Sequence, residues 1–512
     1  MKTLACLLTS FGSLALVACG SGGETPAGAA GSSASSGGGG AVANQGGASA
    51  NAGMQSAAGS MASAGETTAF GGAGTGGMTG GSPSGGQPNP PGIYAPGSCS
   101  ETNLRTAPPV GKEMFKAAPL DVKFPFAEHW VGEWIVDTEA SRIGMQTLAD
   151  LDDDGDLDFA SGQRQVLPGG MVWWEQCTAD HWVQHKVGTG HKSQSSGDAL
   201  DVDGDSLNDL LAGDSWYKNP GKSREMTWPR FSAGTPSAEE LTVGDVTGDG
   251  KAEIMYVDQP IAPQWWSPGA TPEKAFVKGG ELTHPIQQGV AWGDLNGDKA
   301  NDYLLSKDVW FENNGTGSAF TEHAITATAG FDPQPLTYIG DLDSDGDNDF
   351  AMTTHWLGAG STSRLAWVEN QNKGATWVLH QLSDSHKYTH GVILADFDND
   401  EDLDILWAQN VGPSFIFDNT DGQGAFVEHK IVEDFRGHTP RTGDVDCDGD
   451  LDLVGSPWGD RGQASSGESV GMPPRDVLYL QNMTVENGGP AIFDDARKPY
   501  ELGWREKPHC RK

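Results

Sequence analysis

Positive charge is scarce in this chain. Its 512 residues include 32 Lys and Arg against 70 Asp and Glu, a formal net charge of −38. No basic patch is available to displace counterions from phosphates, which argues against a nucleic-acid partner. Cysteine is rare, with six in all. The apolar stretch from Leu4 to Val17 is too short for a membrane span, which needs about 20 residues. No long helical period of apolar residues runs through the body of the chain. No G-x-S-x-G elbow, P-loop or dinucleotide fingerprint stands in a strand–helix context.

What the chain does have is acid in phase. Seven short loops of one design begin at Asp150, Asp201, Asp245, Asp294, Asp341, Asp396 and Asp444, spaced 44 to 55 residues apart. Each reads roughly D-x-[DN]-x-D-G-x-x-D and precedes a short apolar run. Self-similarity at such a period marks a repeat architecture with one supersecondary unit per repeat. Between loops, short β-type runs alternate with Gly-, Pro- and Asn-rich turns. In the first unit, strands are expected over Ile143 to Ala149, Leu157 to Ser161, Met171 to Glu175 and Trp182 to Val187. Four antiparallel strands of this length make a propeller blade. The fold class is therefore all-β, a seven-bladed β-propeller of four-stranded antiparallel blades. Third strands carry aromatics with an acid-Asn ending, as in Trp310-Phe311-Glu312-Asn313 and Trp367-Val368-Glu369-Asn370. Large flat side chains there fill the wedges between twisted sheets.

Alternate residues of a tight loop point their oxygens inward. Positions one, three and five supply side chains, position seven a carbonyl and position nine a closing carboxylate. That gives the six or more oxygens that calcium takes, at about 2.3–2.6 Å. The first loop offers Asp150, Asp152, Asp154, Asp156 and Asp158, and the second Asp201, Asp203, Asp205 and Asp209. The third has Asp245, Thr247, Asp249 and Glu253; its neutral Thr and longer Glu make it the weakest site expected. The fourth has Asp294, Asn296, Asp298 and Asp302, the fifth Asp341, Asp343, Asp345 and Asp349. The sixth has Asp396, Asp398, Asp400 and Asp404, the seventh Asp444, Asp446, Asp448 and Asp452. Up to seven Ca²⁺ are expected as cofactors. An EF-hand would need a Glu at position twelve and flanking helices, and neither is present. Ser206, Lys299 and Glu401 stand at position six, where Gly is usual.

The N-terminus reads as a targeting segment. Leu16-Val17-Ala18-Cys19 resembles a bacterial lipobox, which implies a signal peptide over residues 1–19 and lipidation of Cys19. Dual acylation gives stable anchoring where one chain does not. Residues 20–98 are Gly-, Ala- and Ser-rich, cannot bury a core, and read as a disordered tether. As a flexible chain the tether spans about 50 Å. The expected location is the cell envelope, lipid-anchored, at the outer membrane or cell surface, with no other membrane contact and a monomeric state. The propeller is assigned to residues 99–512.

Cys99, Cys177, Cys447 and Cys510 remain for an oxidising compartment, where disulfides persist. Cys99 and Cys510 bracket the repeats, and a closed ring brings its ends together, so this pair is expected, leaving Cys177 with Cys447. Val187, Phe231 and Leu382 end fourth strands about 14 residues before the next loop, and Val136 stands equally far before Asp150. His129 to Val136 then reads as a fourth strand that completes the last blade and removes free edges. Ala491 to Phe493 is the alternative.

At these loops the chain resembles the FG-GAP/VCBS repeat family, whose units read Gly-Asp-x-Asn/Asp-Gly-Asp-Gly-x-x-Asp. Gly244-Asp245-Val246-Thr247-Gly248-Asp249-Gly250 and Gly293-Asp294-Leu295-Asn296-Gly297-Asp298 carry the likeness. The resemblance implies a propeller like the integrin α head, with calcium in the loop joining the first two strands of each blade. It also implies a ligand face opposite the metal loops. His191, His284 and His386 precede their loops by ten residues, and His390 and His438 by six. Repetition at fixed phase predicts convergence near the axis, with Arg164, His355, Tyr388, Arg436 and Arg441 on the same face. The expected role is binding of an extracellular polysaccharide or protein. One alternative is a polysaccharide lyase or sugar dehydratase in which His284, His386, His390 or Tyr388 abstracts a proton and Arg164 stabilises the enolate. Some seven-bladed lyases and fungal aldos-2-ulose dehydratases are similar in this respect. The other alternative is a structural part of an envelope complex.

Overall fold

The computed structural model describes residues 115–116, 119–133, 142–164, 169–192, 197–221, 227–456 (less 237–238, 259, 272–275, 287, 332–334, 355–361, 388, 411 and 436), 476–493 and 510. All of them lie in the unit Ser84–Lys512. Cys19, the segment 20–98, Cys99, His355, Tyr388 and Arg436 fall outside the described residues. No helix among the described residues is long and apolar enough to cross a membrane.

Seven antiparallel sheets make seven blades. The first is Arg142–Ala149, Asp158–Arg164, Gly169–Thr178 and His181–His191, paired in chain order. Each expected strand of this unit is present and somewhat longer. Blades two to six repeat the order over residues 197–232, 240–281, 290–324, 336–383 and 389–432. The seventh takes Arg441–Gly443, Asp452–Gly455 and Asp476–Asn482 from the end of the chain. Its fourth strand is Phe126–Glu133 from the beginning, with Phe115–Lys116 added outside it. Phe126 faces Asn482 and His129 faces Tyr479. The ring is thus closed by the N-terminal strand, as expected, but the strand runs over Phe126–Glu133 rather than His129 to Val136, and residues 134–136 lie outside those described. Ala491 to Phe493 forms no strand; Ile492 instead donates its backbone N–H to Gly449 O at 2.7 Å, over the seventh loop.

The core is divided rather than central. Seven apolar clusters of buried residues each join one blade to the next. Successive side chains of a strand point to opposite faces, so Trp173 enters the wedge between blades one and two while Trp174 enters that between seven and one. Both are almost fully buried, as are Trp216, Trp310 and Trp367. These rings are packing, as expected, and not stacking platforms. Gly374 and Gly424, in the last hairpins of blades five and six, have φ of +80° and +86°. A Cβ there would lie 2.6 Å from Trp310 and 2.5 Å from Trp367 of the preceding blade. Glycine is required on both grounds.

Cys510 pairs with Cys447, with Cα atoms 5.3 Å apart, and not with Cys99. Cys510 lies at the seam between the last and first loops: it donates its N–H to Gly155 O at 2.8 Å, and its Sγ lies 3.6 Å from Asp444 O. Because Phe126–Glu133 closes the ring, the terminal cysteine meets position four of the seventh loop instead of the other chain end. Cys177 is also disulfide-bonded, to a partner outside the described residues, so the expected Cys177–Cys447 pair is not formed.

Candidate functional site

Each acidic loop joins the first and second strands of its blade. Its position-one carboxylate organises the turn. Asp201 accepts N–H groups of Gly204, Asp205 and Ser206 at 2.7–3.1 Å, and Asp294 those of Gly297, Asp298 and Lys299 at 2.7–3.1 Å. Position five accepts from position seven, as Asp298 does from Ala300 at 2.8 Å. The bend places positions four and six in the left-handed region. Ser206, Lys299 and Glu401 hold φ of 72°, 75° and 75°, so the glycine fold of the turn persists without glycine. Such a residue costs about 1–2 kcal/mol.

The position-nine carboxylate is the most buried member. Its oxygens accept one N–H from position two and one from the end of the third strand: for Asp302, Leu295 at 3.0 Å and Asn313 at 2.8 Å. Asp209, Asp349, Asp404 and Asp452 repeat the pair. In the third loop Glu253 still reaches Val246 N at 2.9 Å, but its other oxygen is held by the Ser267 hydroxyl at 3.2 Å. The residue that follows is Pro268, which has no N–H to give.

Carboxylate oxygens converge within 4.8 Å of one another in the sets Asp150–Asp152–Asp158, Asp201–Asp203–Asp209, Asp341–Asp343–Asp349 and Asp396–Asp398–Asp404. Burial, reinforced by like charge, raises their proton affinity. Asp209 and Asp349 are pushed up to about 8 and Asp302 to about 7, and Asp158, Asp404 and Asp452 rise as well. The buried oxygens Asp203 Oδ1, Asp341 Oδ1 and Asp446 Oδ1 have no hydrogen-bond partner. An all-oxygen, multiply anionic cradle suits a hard cation. Positions one, three, five and nine could hold one.

A second network, which sequence reasoning missed, ties the loops to each other. The Asn at the end of the third strand donates Nδ2 to position two of the preceding loop. The five bonds are Asn219 to Leu151, Asn313 to Val246, Asn370 to Leu295, Asn419 to Leu342 and Asn482 to Phe397, at 2.7–2.9 Å. The same amide bridges to position eight of its own loop, as in Asn370 to Asn348 O at 2.9 Å, and its Oδ1 accepts from Gly374 at 2.6 Å. Its sequence signal is the recurrent Trp-x-x-Asn of the third strands. The residue before this Asn borders position three: Gln481 Nε2 lies 2.5 Å from Asp446 Oδ2, and Asp418 joins Asp398 and Asp400 in one acidic set.

Among the described residues, His284, His386 and His390 stand in separate surroundings, and Tyr388 lies outside those residues. His284 pairs with Glu322 at 2.9 Å on the outermost strand of blade four. His386 pairs with Glu428 at 3.0 Å on the outermost strand of blade six and stacks on Phe415. His191 is buried, bonded to Tyr217 Oη at 2.9 Å and Gln163 O at 3.0 Å, and burial lowers its pKa. His284 and His386 thus occupy equivalent places against the outermost strand of the next blade, whereas His191 is enclosed between the second strand of its own blade and the third strand of the next. Among the described histidines, His390 and His438 meet, with ring centroids 3.7 Å apart and His390 Nδ1 at 2.8 Å from His438 O. Arg164 is engaged by Glu239.

First strands of successive blades touch, so they line the inner edge of the ring. Three residues before position one they carry Thr147, Asp198, Tyr338 and Arg441. Thr147 donates to Asp198 at 2.8 Å. Tyr338 is enclosed by surrounding blades yet 38% exposed, as a side chain facing a channel is. That enclosure raises its pKa, Arg441 lowers it, and Glu240 and Asp198 raise it further, so residues of four blades share one electrostatic field. Burial pushes Glu240 up to about 7, while Gly289 N–H donates to its Oε2 at 2.7 Å. Asp198, Glu240 and Tyr338 escaped the sequence reading, which followed histidine rather than loop phase.

Residues 341–407 and 396–455 match the FG-GAP-like repeat family. No curated protein matches the chain. Among solved structures, the crystal structure of the V. cholerae biofilm matrix protein Bap1 is similar to it at 12% identity and a TM-score of 0.24. The likeness covers 67% of this chain and 76% of that one.

Proposed function

We propose that this chain, an FG-GAP-repeat seven-bladed propeller and so of the ligand-binding, extracellular type, is a calcium-stapled binding module for an extracellular glycan or protein. The observation that carries the reading is the convergence of carboxylate oxygens in the loops, within 4.8 Å of one another. Calcium there would cross-link the two ends of the loop that holds it and, through the Asn bridges, brace neighbouring blades. The inner edge of the ring, with Asp198, Glu240, Tyr338 and Arg441, supplies polar and aromatic groups, which suits recognition of hydroxyls and amides. Dispersal of the histidines favours binding over proton abstraction. Lipidated Cys19 and the 20–98 tether would hold the module at the envelope.

Thermal unfolding with calcium and with excess EGTA tests the metal, since an ion bound only to the folded state stabilises it. A melting temperature several degrees lower in EGTA is expected, and an unchanged one refutes the metal reading. Retention on a panel of immobilised acidic and neutral polysaccharides, compared with Tyr338→Ala and Arg441→Ala, tests the binding face. Retention of wild type that both variants lose is expected; retention that neither variant alters moves the site elsewhere.

A further inference from the structure

The residue that borders position three of each loop, one before the third-strand Asn, differs in charge around the ring. It is Glu312 in blade four, Glu369 in blade five and Asp418 in blade six, but Lys218 in blade two. Lys218 Nζ bonds to Asp203 Oδ2 and lies 2.6 Å from Asp205 Oδ2, between positions three and five of its own loop. The sixth loop receives an ammonium from outside the repeats. Lys123 Nζ bonds to Asp398 and stands 3.7 Å from Asp418 and 3.9 Å from Asp400. Its position is fixed: Asp121 accepts the Lys123 N–H at 2.7 Å and pairs with His429 at 3.1 Å, and Phe124 is fully buried.

We infer that the second and sixth loops carry a lysine ammonium as their cation, so that divalent ions are confined to the other loops. The inference rests on the calcium reading above. A tethered ammonium competes at high effective concentration, and it repels a divalent ion that enters beside it. Lys218 makes charge-assisted bonds to two carboxylates, and Lys123 bonds to one with two more within 3.9 Å, so each ammonium offsets part of its cradle's negative charge without a metal. Seven loops less these two leave no more than five for calcium. In the sixth loop the cation belongs to the segment that leads into the closing strand, so ring closure itself neutralises that loop.

Native mass spectrometry of the full chain at saturating calcium counts the ions. Wild type should hold no more than five, Lys218→Met one more than wild type, and Lys218→Met/Lys123→Met two more, while Lys218→Arg, which keeps the charge, adds none. Wild type holding six or seven, or methionine variants that add none, overturns the inference and leaves the calcium reading intact. No ion on any variant overturns both. Unchanged far-ultraviolet circular dichroism establishes that the variants are folded.

Discussion

The side chain on which the loop ring depends is an amide. Asn370 donates to Asn348 O and Leu295 O, accepts from Gly374, and is fully buried. Asn370→Ala would leave two buried carbonyls without their donor, each worth about 1–3 kcal/mol. Urea unfolding should show a loss of about 2–4 kcal/mol, and Asn370→Asp, which lacks the donors, should lose as much. Glu240 behaves oppositely. Its pKa is raised to about 7 by burial, so its favourable contribution is present below the ordinary carboxylate range and is lost as pH rises through about 7. Glu240→Gln should therefore stabilise by on the order of 1–3 kcal/mol at pH 8 and by almost nothing at pH 5; melting curves at the two values check it. Neither role could be read from residue type alone. The clustering of the acidic loop positions was legible because their spacing encodes it. The Asn bridge needs a partner 75 residues away, and only the ring supplies it.

At the level of strands, periodicity and phase were informative. The four strands of blade one and the closing strand near His129 follow from alternation and from the spacing before Asp150. What the pattern could not supply was which blade's surface a loop residue meets. His284 and His386 share a phase, but at that phase the chain is leaving the outer strand, so they face the rim. The closing strand is held by Phe124, Phe126 and Trp130, buried against blade six. Trp130→Ala should cost about 3–5 kcal/mol. The loss should be local, with hydrogen exchange accelerated in Phe126–Glu133 and Asp476–Asn482 and unchanged in blades three and four. Uniform acceleration would mean that the strand is not a separable unit.

For the whole molecule, continuity of the ring decides stability. At the junction of blades seven and one, Gln176 stands where five other blades have Asn, and the Cys447–Cys510 disulfide bridges the loops instead. Cys447→Ser/Cys510→Ser should lower stability by about 2–4 kcal/mol, the usual worth of a disulfide, with a matching fall in melting temperature. An equal melting temperature would show that the disulfide merely lies over the seam. The pairing was misassigned from sequence because the ends of a ring are close to several cysteines at once, and proximity alone does not choose among them.

One joint remains. Asn amides fasten five junctions and the terminal cystine a sixth, but between blades two and three Ser267 and Pro268 replace the fastening pair, and no described loop-to-loop bond takes its place. A hoop riveted at every joint but one has a chosen fracture line. Under heat, tension or a protease, the rupture should start there, and cleavage fragments should end near residue 235.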